Sequence, residues 1–268
     1  MTSRDTSKGE AARSRIETTT GRSGIIEVWQ LDLASTKSIK AFAERAYREL
    51  DRLDVLLENA GSATETFTRV GDDLSAGTGN GTETILAVNV IGTFHLAVLL
   101  LPLLKRSGGR KGAIPSRLCI LTSDLHFLAD EFPQRKCDQI LAELDKEDGV
   151  RMMFERSDVS LGTCLSVNAD VLDRYNISKL IEILIAQHIA RLLQPSQSAN
   201  SEPPVVINTV NSGLVDTDLA RDQGNIGQVF KFIFRAWTPE VGARCLVHAA
   251  AMGEESHGKH TSNGVIAE

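Results

Sequence analysis

The chain has 268 residues, 42% hydrophobic and 24% charged, the balance of an ordinary globular protein with enough length for one large core or two small ones. A formal net charge of −6 without blocks of like charge excludes a nucleic-acid binder, which needs a basic face to meet phosphate. Four scattered cysteines (Cys119, Cys137, Cys164, Cys245) form no CxxC pair, so neither a zinc site nor a disulfide framework is expected, and the cytoplasm is the expected compartment.

In chain order, Thr6 to Thr19 is polar and predicts a short surface helix rather than a secretory signal. Ile25 to Leu33 is apolar and β-branched and predicts a strand ending at Asp32. Ser35 to Asp51 places Ile39, Phe42, Ala43, Ala46 and Leu50 on one helical face. Leu53 to Leu57 predicts a short buried strand, closed by Glu58-Asn59-Ala60-Gly61. The segment Gly71 to Gly81 carries four glycines and predicts a loop. Thr82 to Leu104 predicts one long apolar helix; its most apolar run, Phe94 to Leu104, contains His95 and Pro102 and is too short to cross a bilayer, so no membrane partner is expected.

Arg117 to Ser123 predicts the next strand. Residues 124–166 are polar and mixed, with a helix expected from Cys137 to Asp145, and are taken as an insertion rather than a domain. Asp170 to Leu193 is strongly periodic and helical, Val205 to Val210 is a strand, and Thr238-Pro239-Glu240 opens a last helix, proline being favoured in a first turn. Helices alternating with uniformly apolar strands imply an α/β fold: a doubly wound parallel sheet, Rossmann-like, with ligands at the carboxyl ends of the strands. The 268 residues are read as one such domain.

The chemistry starts at Tyr175-Asn176-Ile177-Ser178-Lys179. A four-residue step puts the phenol and the ammonium on one helix face, where the positive charge would lower the phenol pKa toward the working range of an acid-base group. From the residues alone, the alternative is a packed tyrosine beside a solvated lysine, and the pair is suggestive rather than decisive.

Other motifs stand around this pair. Glu58-Asn59-Ala60-Gly61 ends a strand, Asn89-Val90-Ile91-Gly92 lies in the long helix, Ser123 ends the next strand, and Asn211 to Thr217 follows a strand. Together they resemble the short-chain dehydrogenase/reductase family from Arg4 to about Gly258. Tyr175 and Lys179 match its YxxxK. The ENAG stretch matches its NNAG, with Glu58 replacing the first asparagine. Asn211-Ser212-Gly213-Leu214-Val215-Asp216-Thr217 is similar to its PGxVxT. Within the family, the pattern looks most like reductases of fungal secondary metabolism and the retinol-dehydrogenase-like branch.

The resemblance implies roles. Tyr175 would exchange the proton with the substrate oxygen, and Lys179 would lower its pKa and bind the nicotinamide ribose. Ser123 would hydrogen-bond the substrate oxygen, or simply cap a strand end. Asn89 would hold a water relay to Lys179, or bond neighbouring backbone as a helix-interior asparagine. Asp32 would accept from the adenine amino group, or cap the next helix. Asn59, Val215 and Thr217 would line the cofactor, with Gly61 serving backbone geometry. Arg4 matches the basic residue that contacts the 2′-phosphate, which favours NADP, with NAD the alternative.

Two departures are as informative. Nothing in residues 1–30 supplies the TGxxxGxG turn whose amides hold the pyrophosphate, and Met1 falls where relatives finish their second strand. The resemblance therefore implies either a start placed too late or an N-terminally truncated form lacking the first two strands, with exposed apolar edges and weak NADPH binding. At the other end, Glu268 falls near the point where a final strand and closing helix would form.

The expected activity is NADP-dependent interconversion of a ketone and an alcohol. The apolar residues Ile226, Val229, Phe230, Phe232, Ile233 and Phe234 between Asp216 and Trp237 suit a medium-sized apolar substrate of secondary metabolism, or pack on the core or a partner subunit. A homo-oligomer is expected by family analogy. The competing expectation is a catalytically impaired or inactive reductase-like protein that acts by association.

Overall fold

Seven consecutive buried residues, Val205–Asn211, make the strand at the middle of the sheet, as expected where helices cover both faces. The computed structural model describes residues 1–64, 66–72, 81–108, 114–129, 138–146, 169–193, 205–217 and 236–267, with side chains of 169–173 left aside. In chain order the strands are β1 (Thr2–Ser3), β2 (Trp29–Gln30), β3 (Val55–Glu58), β4 (Arg69–Val70), β5 (Thr82–Glu83), β6 (Ser116–Leu121), β7 (Val205–Asn211), β8 (Lys259–Ser262) and β9 (Val265–Ile266). The helices are α1 (Thr6–Thr20), α2 (Thr36–Glu49), α3 (Thr93–Gly108), α4 (Ile140–Leu144), α5 (Ala169–Leu192) and α6 (Pro239–Ala251).

The main sheet has the order β3-β6-β7-β8-β9, parallel except for the last pair. Alternation along β6 sends Leu118 and Ile120 to the face covered by α3 and α5, where they pack with Phe94, Leu104, Ile177 and Ile181. Cys119 points the other way with Val210, against Leu246 and Ala249 of α6. Burial pushes the Cys119 thiol up to about 12, which makes it inert. On β3, the edge strand, Val55 and Leu57 are exposed.

Two predicted elements change. The strand expected over 25–33 is two residues long and pairs in parallel with Thr2–Ser3 in a separate small sheet. Pairing ends because Arg4 turns away into α1, whose Asp5 cap accepts the Ser7 amide at 2.9 Å. The burial is alternating rather than uniform: Trp29, Leu31 and Leu33 pack on Ile39, Ala43 and Ala46 of α2, while Ile25 is exposed.

The helix expected from Thr82 instead opens as β5, antiparallel to β4. The buried Glu83 carboxylate then accepts the Ile85 and Leu86 amides at 3.0 and 2.9 Å and starts a π-helical turn, Leu86–Gly92, ahead of α3. A side chain at Gly92 would run into the Leu33 carbonyl, so the wide turn packs directly on the chain after β2. Leu86–Gly108 is the one stretch among the described residues with the length and apolarity of a membrane span, and most of it is buried in the fold.

Elsewhere boundaries move by one to three residues. The helix expected over 137–145 is Ile140–Leu144, docked by Arg69 on Asp145 at 2.8 Å and by the Arg174 guanidinium on the Leu144 carbonyl at 3.0 Å. Thr238 caps α6 and Pro239 occupies its first turn, as expected. The expected apolar loop falls mostly outside the described residues, as do Cys137, Cys164 and most of the insertion.

Candidate active site

Helix α5 is fixed to the sheet by Ile177, Ile181 and Ala186, and this fixes the face that carries Tyr175 and Lys179. The four-residue step leaves the Lys179 Nζ 5.6 Å from the centroid of the Tyr175 ring. Lys179 is 3% exposed, so its ammonium needs partners inside the protein. It donates to the Leu121 carbonyl at 3.0 Å and to Glu182 Oε1 at 3.1 Å, and lies 2.9 Å from Glu182 Oε2. The sequence reading of Lys179 as a solvated lysine is thereby excluded.

Leu121 ends β6, and the chain then delivers Ser123 to Tyr175, whose side chain it hydrogen-bonds. The same Ser123 oxygen accepts the Leu125 amide at 3.2 Å, while the Ser123 carbonyl accepts the His126 amide at 3.2 Å and its Nδ1 at 2.7 Å. Ser123 is thus both a cap for the turn Asp124–Ala129 and a partner of the phenol.

Asn89 is fully buried in the π-helical turn, a widening common at functional sites. Its Oδ1 accepts the Ser62 amide at 2.7 Å, and its Nδ2 donates to the Ser62 carbonyl and to Ser178 Oγ, both at 3.0 Å. Ser178 in turn donates to the Tyr175 carbonyl at 2.7 Å. Asn89 therefore ties the strand end after β3 to the Tyr175 turn of α5. Between them lies Gly61: a Cβ there would come within 3.4 Å of Asn89 Oδ1 and 3.7 Å of the Lys179 ammonium. Both are ordinary contact distances and the Gly61 φ is not positive, so the backbone geometry expected of this glycine is not what sets it here; its lack of a side chain leaves the space beside the ammonium open.

Charge in the site does not fall as the sequence implies. Burial raises the Tyr175 phenol above its ordinary value; the Lys179 ammonium pulls it down, the Glu182 carboxylate pushes it up again, and the Ser123 bond lowers it. The expected net lowering by lysine is outweighed. Burial also works against the Lys179 ammonium, but Glu182 and Tyr175 more than offset this and its pKa is raised. Glu182 is itself pushed up to about 7 by burial despite Lys179, and Glu58 up to about 8 by burial and by Glu182.

The remaining expected positions sit just past the carboxyl ends of strands. Asp32 follows β2, and its Oδ1 accepts the Ala34 amide at 3.0 Å in a local turn; it does not cap the next helix, as its local reading expected. Ser35 is the actual helix cap, accepting the Ser38 amide at 3.0 Å. Asn59 is exposed just past β3. Val215 pairs with Trp237 and packs so closely on α6 that a Cβ on Gly242 would meet its Cγ2 at 2.5 Å; Thr217 follows, exposed. Arg4 is exposed after β1.

Sequence reasoning missed Glu182 and Ser178. A lone acid in the apolar run Leu180 to Ala186, three residues past Lys179, was the available signal. It also missed a trio, Asp124, His126 and His260, whose potential ligand atoms lie within 4.8 Å of one another. These groups satisfy one another: His260 Nε2 lies 3.2 Å from Asp124 Oδ1, and Ser262 donates to Asp124 Oδ2 at 2.6 Å. Burial lowers the His260 pKa, which favours the neutral ring.

Comparison with known proteins places this arrangement. The sequence profile described as short chain dehydrogenase matches residues 1–116. A short chain dehydrogenase/reductase of Cryptosporiopsis sp. is 35% identical over 263 residues, covering 97% of this chain and 71% of that protein. A short-chain dehydrogenase of Penicillium roqueforti is 34% identical over 271 residues, covering 100% of this chain and 62% of that protein. The chain thus spans roughly two thirds of the length of these fungal relatives. Among solved structures, the NADPH-bound carbonyl reductase from chicken fatty liver superposes with a TM-score of 0.59 at 16% identity, covering 99% of this chain and 85% of that one.

Proposed function

Because the chain belongs to the short-chain dehydrogenase/reductase family of oxidoreductases acting between C–OH and C=O groups, we propose that it interconverts a ketone and an alcohol with NADP, on a medium-sized apolar substrate of secondary metabolism. The observation that carries this reading is the convergence of Ser123 and Lys179 on Tyr175 at the carboxyl end of β6.

The residues fit a nicotinamide cofactor at its ribose end. Lys179 has three N–H donors; the Leu121 carbonyl and Glu182 engage two, leaving one for a ribose hydroxyl. Gly61 keeps the space beside it clear. Asn59, Val215 and Thr217 at neighbouring strand ends, and Asp32 further along, would hold the rest. NADP is favoured over NAD by Arg4 and by the NADPH bound to the chicken reductase of like fold. When bound, NADPH supplies the hydride.

Tyr175 supplies the proton. Its O–H, held by Ser123, donates to the substrate oxygen as the carbonyl carbon gains hydride, and the phenolate left behind is stabilised by the Lys179 ammonium before reprotonation. In the reverse direction the phenolate removes the hydroxyl proton. Ser123 positions the substrate oxygen, and Asn89, through Ser178, holds the turn of α5 on which Tyr175 stands. The apolar stretch before Trp237 supports an apolar substrate by its composition.

The test is NADPH consumption with a panel of apolar ketones, for the chain and for Tyr175→Phe. Turnover that vanishes in the variant while NADPH still binds supports the reading. Equal turnover in both overturns it.

A further inference from the structure

Lys179, the residue read above as helping Tyr175, is held by an acid that the reading does not use, and a second acid is buried behind it. Glu182 is 1% exposed and Glu58 is 6% exposed. Glu182 takes the ammonium between its two oxygens, at 3.1 and 2.9 Å. Glu58 ends β3 opposite Ile120, one residue before the Leu121 carbonyl that also binds the ammonium. It lies within electrostatic reach of Glu182, and its Oε1 has no hydrogen-bond partner among the described residues. One buried ammonium can balance one buried carboxylate. A second ionised carboxylate without donors would be an uncompensated charge in a low-dielectric interior, so one of the two acids must keep its proton. Glu182 has the ammonium against it and Glu58, among the described residues, has no cation beside it, so Glu58 is the neutral one.

Resting on the reading of Tyr175 and Lys179 given above, we propose that Glu182 is a positioning residue for that pair, gripping the Lys179 ammonium and partly cancelling its field at Tyr175, and that Glu58 stands behind Glu182 as a neutral acid. The glutamate that replaces the first asparagine of the family motif then has a job. The ionisable groups that act on the two acids are Lys179 and Tyr175 on α5; Cys119 lies on β6, Asp124 and His126 on the turn after β6, and His260 on β8. Cys119 stays protonated up to about pH 12, and the Asp124 carboxylate is held by His260 and Ser262 rather than by the pair.

The consequence for Tyr175 has a sign. With Glu182 ionised, the ammonium acts on the phenol at reduced strength. Glu182→Gln keeps the shape but leaves the ammonium unopposed, so the phenol becomes more acidic. The alkaline limb of carbonyl reduction, which needs the phenol protonated, then moves to lower pH by about one unit, a tenfold loss at a fixed pH on that limb. Glu182→Asp, which retains the charge, should restore much of the position. A merely structural Glu182 would lower the rate at every pH and leave the limb in place, and that result overturns the role of Glu182.

Glu58 is tested without turnover. A glutamate in an unfolded chain has a pKa near ~4.3, whereas Glu58 is held up to about 8 in the fold. Between these values the folded state keeps a proton that the unfolded state has lost, so stability falls as pH rises from about 5 to about 8 and then levels. The same sign holds for Glu182 up to about 7, which is why the comparison is between variants. Glu58→Gln is expected to flatten the upper part of that fall, measured as urea midpoints of the chain from pH 5 to 9. Unchanged dependence in Glu58→Gln overturns the neutral-acid assignment. If Tyr175→Phe turned over like the parent chain, the functional reading would fail by itself, and the urea series would still decide whether the acid pair exists.

Discussion

The front segment, Thr2 to Leu33, and the wall made by β6 and α5 are both legible as helix and strand, yet they are held by different means. On α1 the single buried residue is Gly9, and the helix rests on its Asp5 cap, the left-handed Gly21 at its end and exposed pairs such as Arg13 with Glu10 at 2.8 Å. On α5, Asn176, Ile177, Ser178 and Lys179 are all buried, followed by Ile181, Glu182 and Ile183. A polar helix face in water leaves its side chains free to change. Polar groups inside a packed wall must each find a partner, and the pattern of partners is what points to chemistry.

That contrast can be broken or sharpened by substitution. The largest effect is expected at Tyr175. Tyr175→Phe keeps the ring and removes the proton-transferring hydroxyl, so turnover should fall by roughly 10²–10⁴-fold or more while NADPH affinity stays within a few-fold. Steady-state rates and a cofactor fluorescence titration measure the two separately.

Lys179→Met should lower rate and cofactor affinity together, because it removes both the charge near Tyr175 and a ribose donor. It also strands Glu182 in the interior, and breaking one side of a buried pair costs about 3–5 kcal/mol, visible as a lower urea midpoint. A variant with normal stability would mean that the pair is not buried as described.

Asn89→Ala should act first on stability. It leaves the Ser62 amide and carbonyl and the Ser178 hydroxyl without their partner, a loss of about 1–3 kcal/mol. The smallest effect is expected at the front: Glu10→Ala removes an exposed pair on α1 and should change stability by no more than about 0.5 kcal/mol. A larger loss there would show that α1 is docked more tightly than its exposure implies.

Most of the fold could be read in advance because burial and periodicity coincide in it. The face of α2, the apolar β7 and the Thr238-Pro239 start of α6 follow directly from spacing. The misread segments are those where a third partner decides. Ile25 to Leu33 has strand composition, but only Trp29–Gln30 find a strand to pair with. Thr82 and Glu83 look helical until Arg69–Val70 claims them as a strand.

The site divides along the same line. Tyr175, Lys179, Ser123 and Asn89 are brought together where the motifs imply. Glu182 went unread because its neighbours mark it only as an acid in an apolar run. Its meaning depends on Lys179 being turned inward, which spacing does not reveal. The direction of the Tyr175 shift was misjudged for the same reason: burial and Glu182 are three-dimensional facts.

The most direct test of the account follows the hydride itself. NADPH deuterated at the transferable position of nicotinamide C4 would be incubated with the chain and an accepted apolar ketone, and the product alcohol analysed by mass spectrometry. The account predicts one deuterium on the carbinol carbon, formed by the parent chain and not by Tyr175→Phe. An unlabelled alcohol, or equal labelling in both, would contradict it.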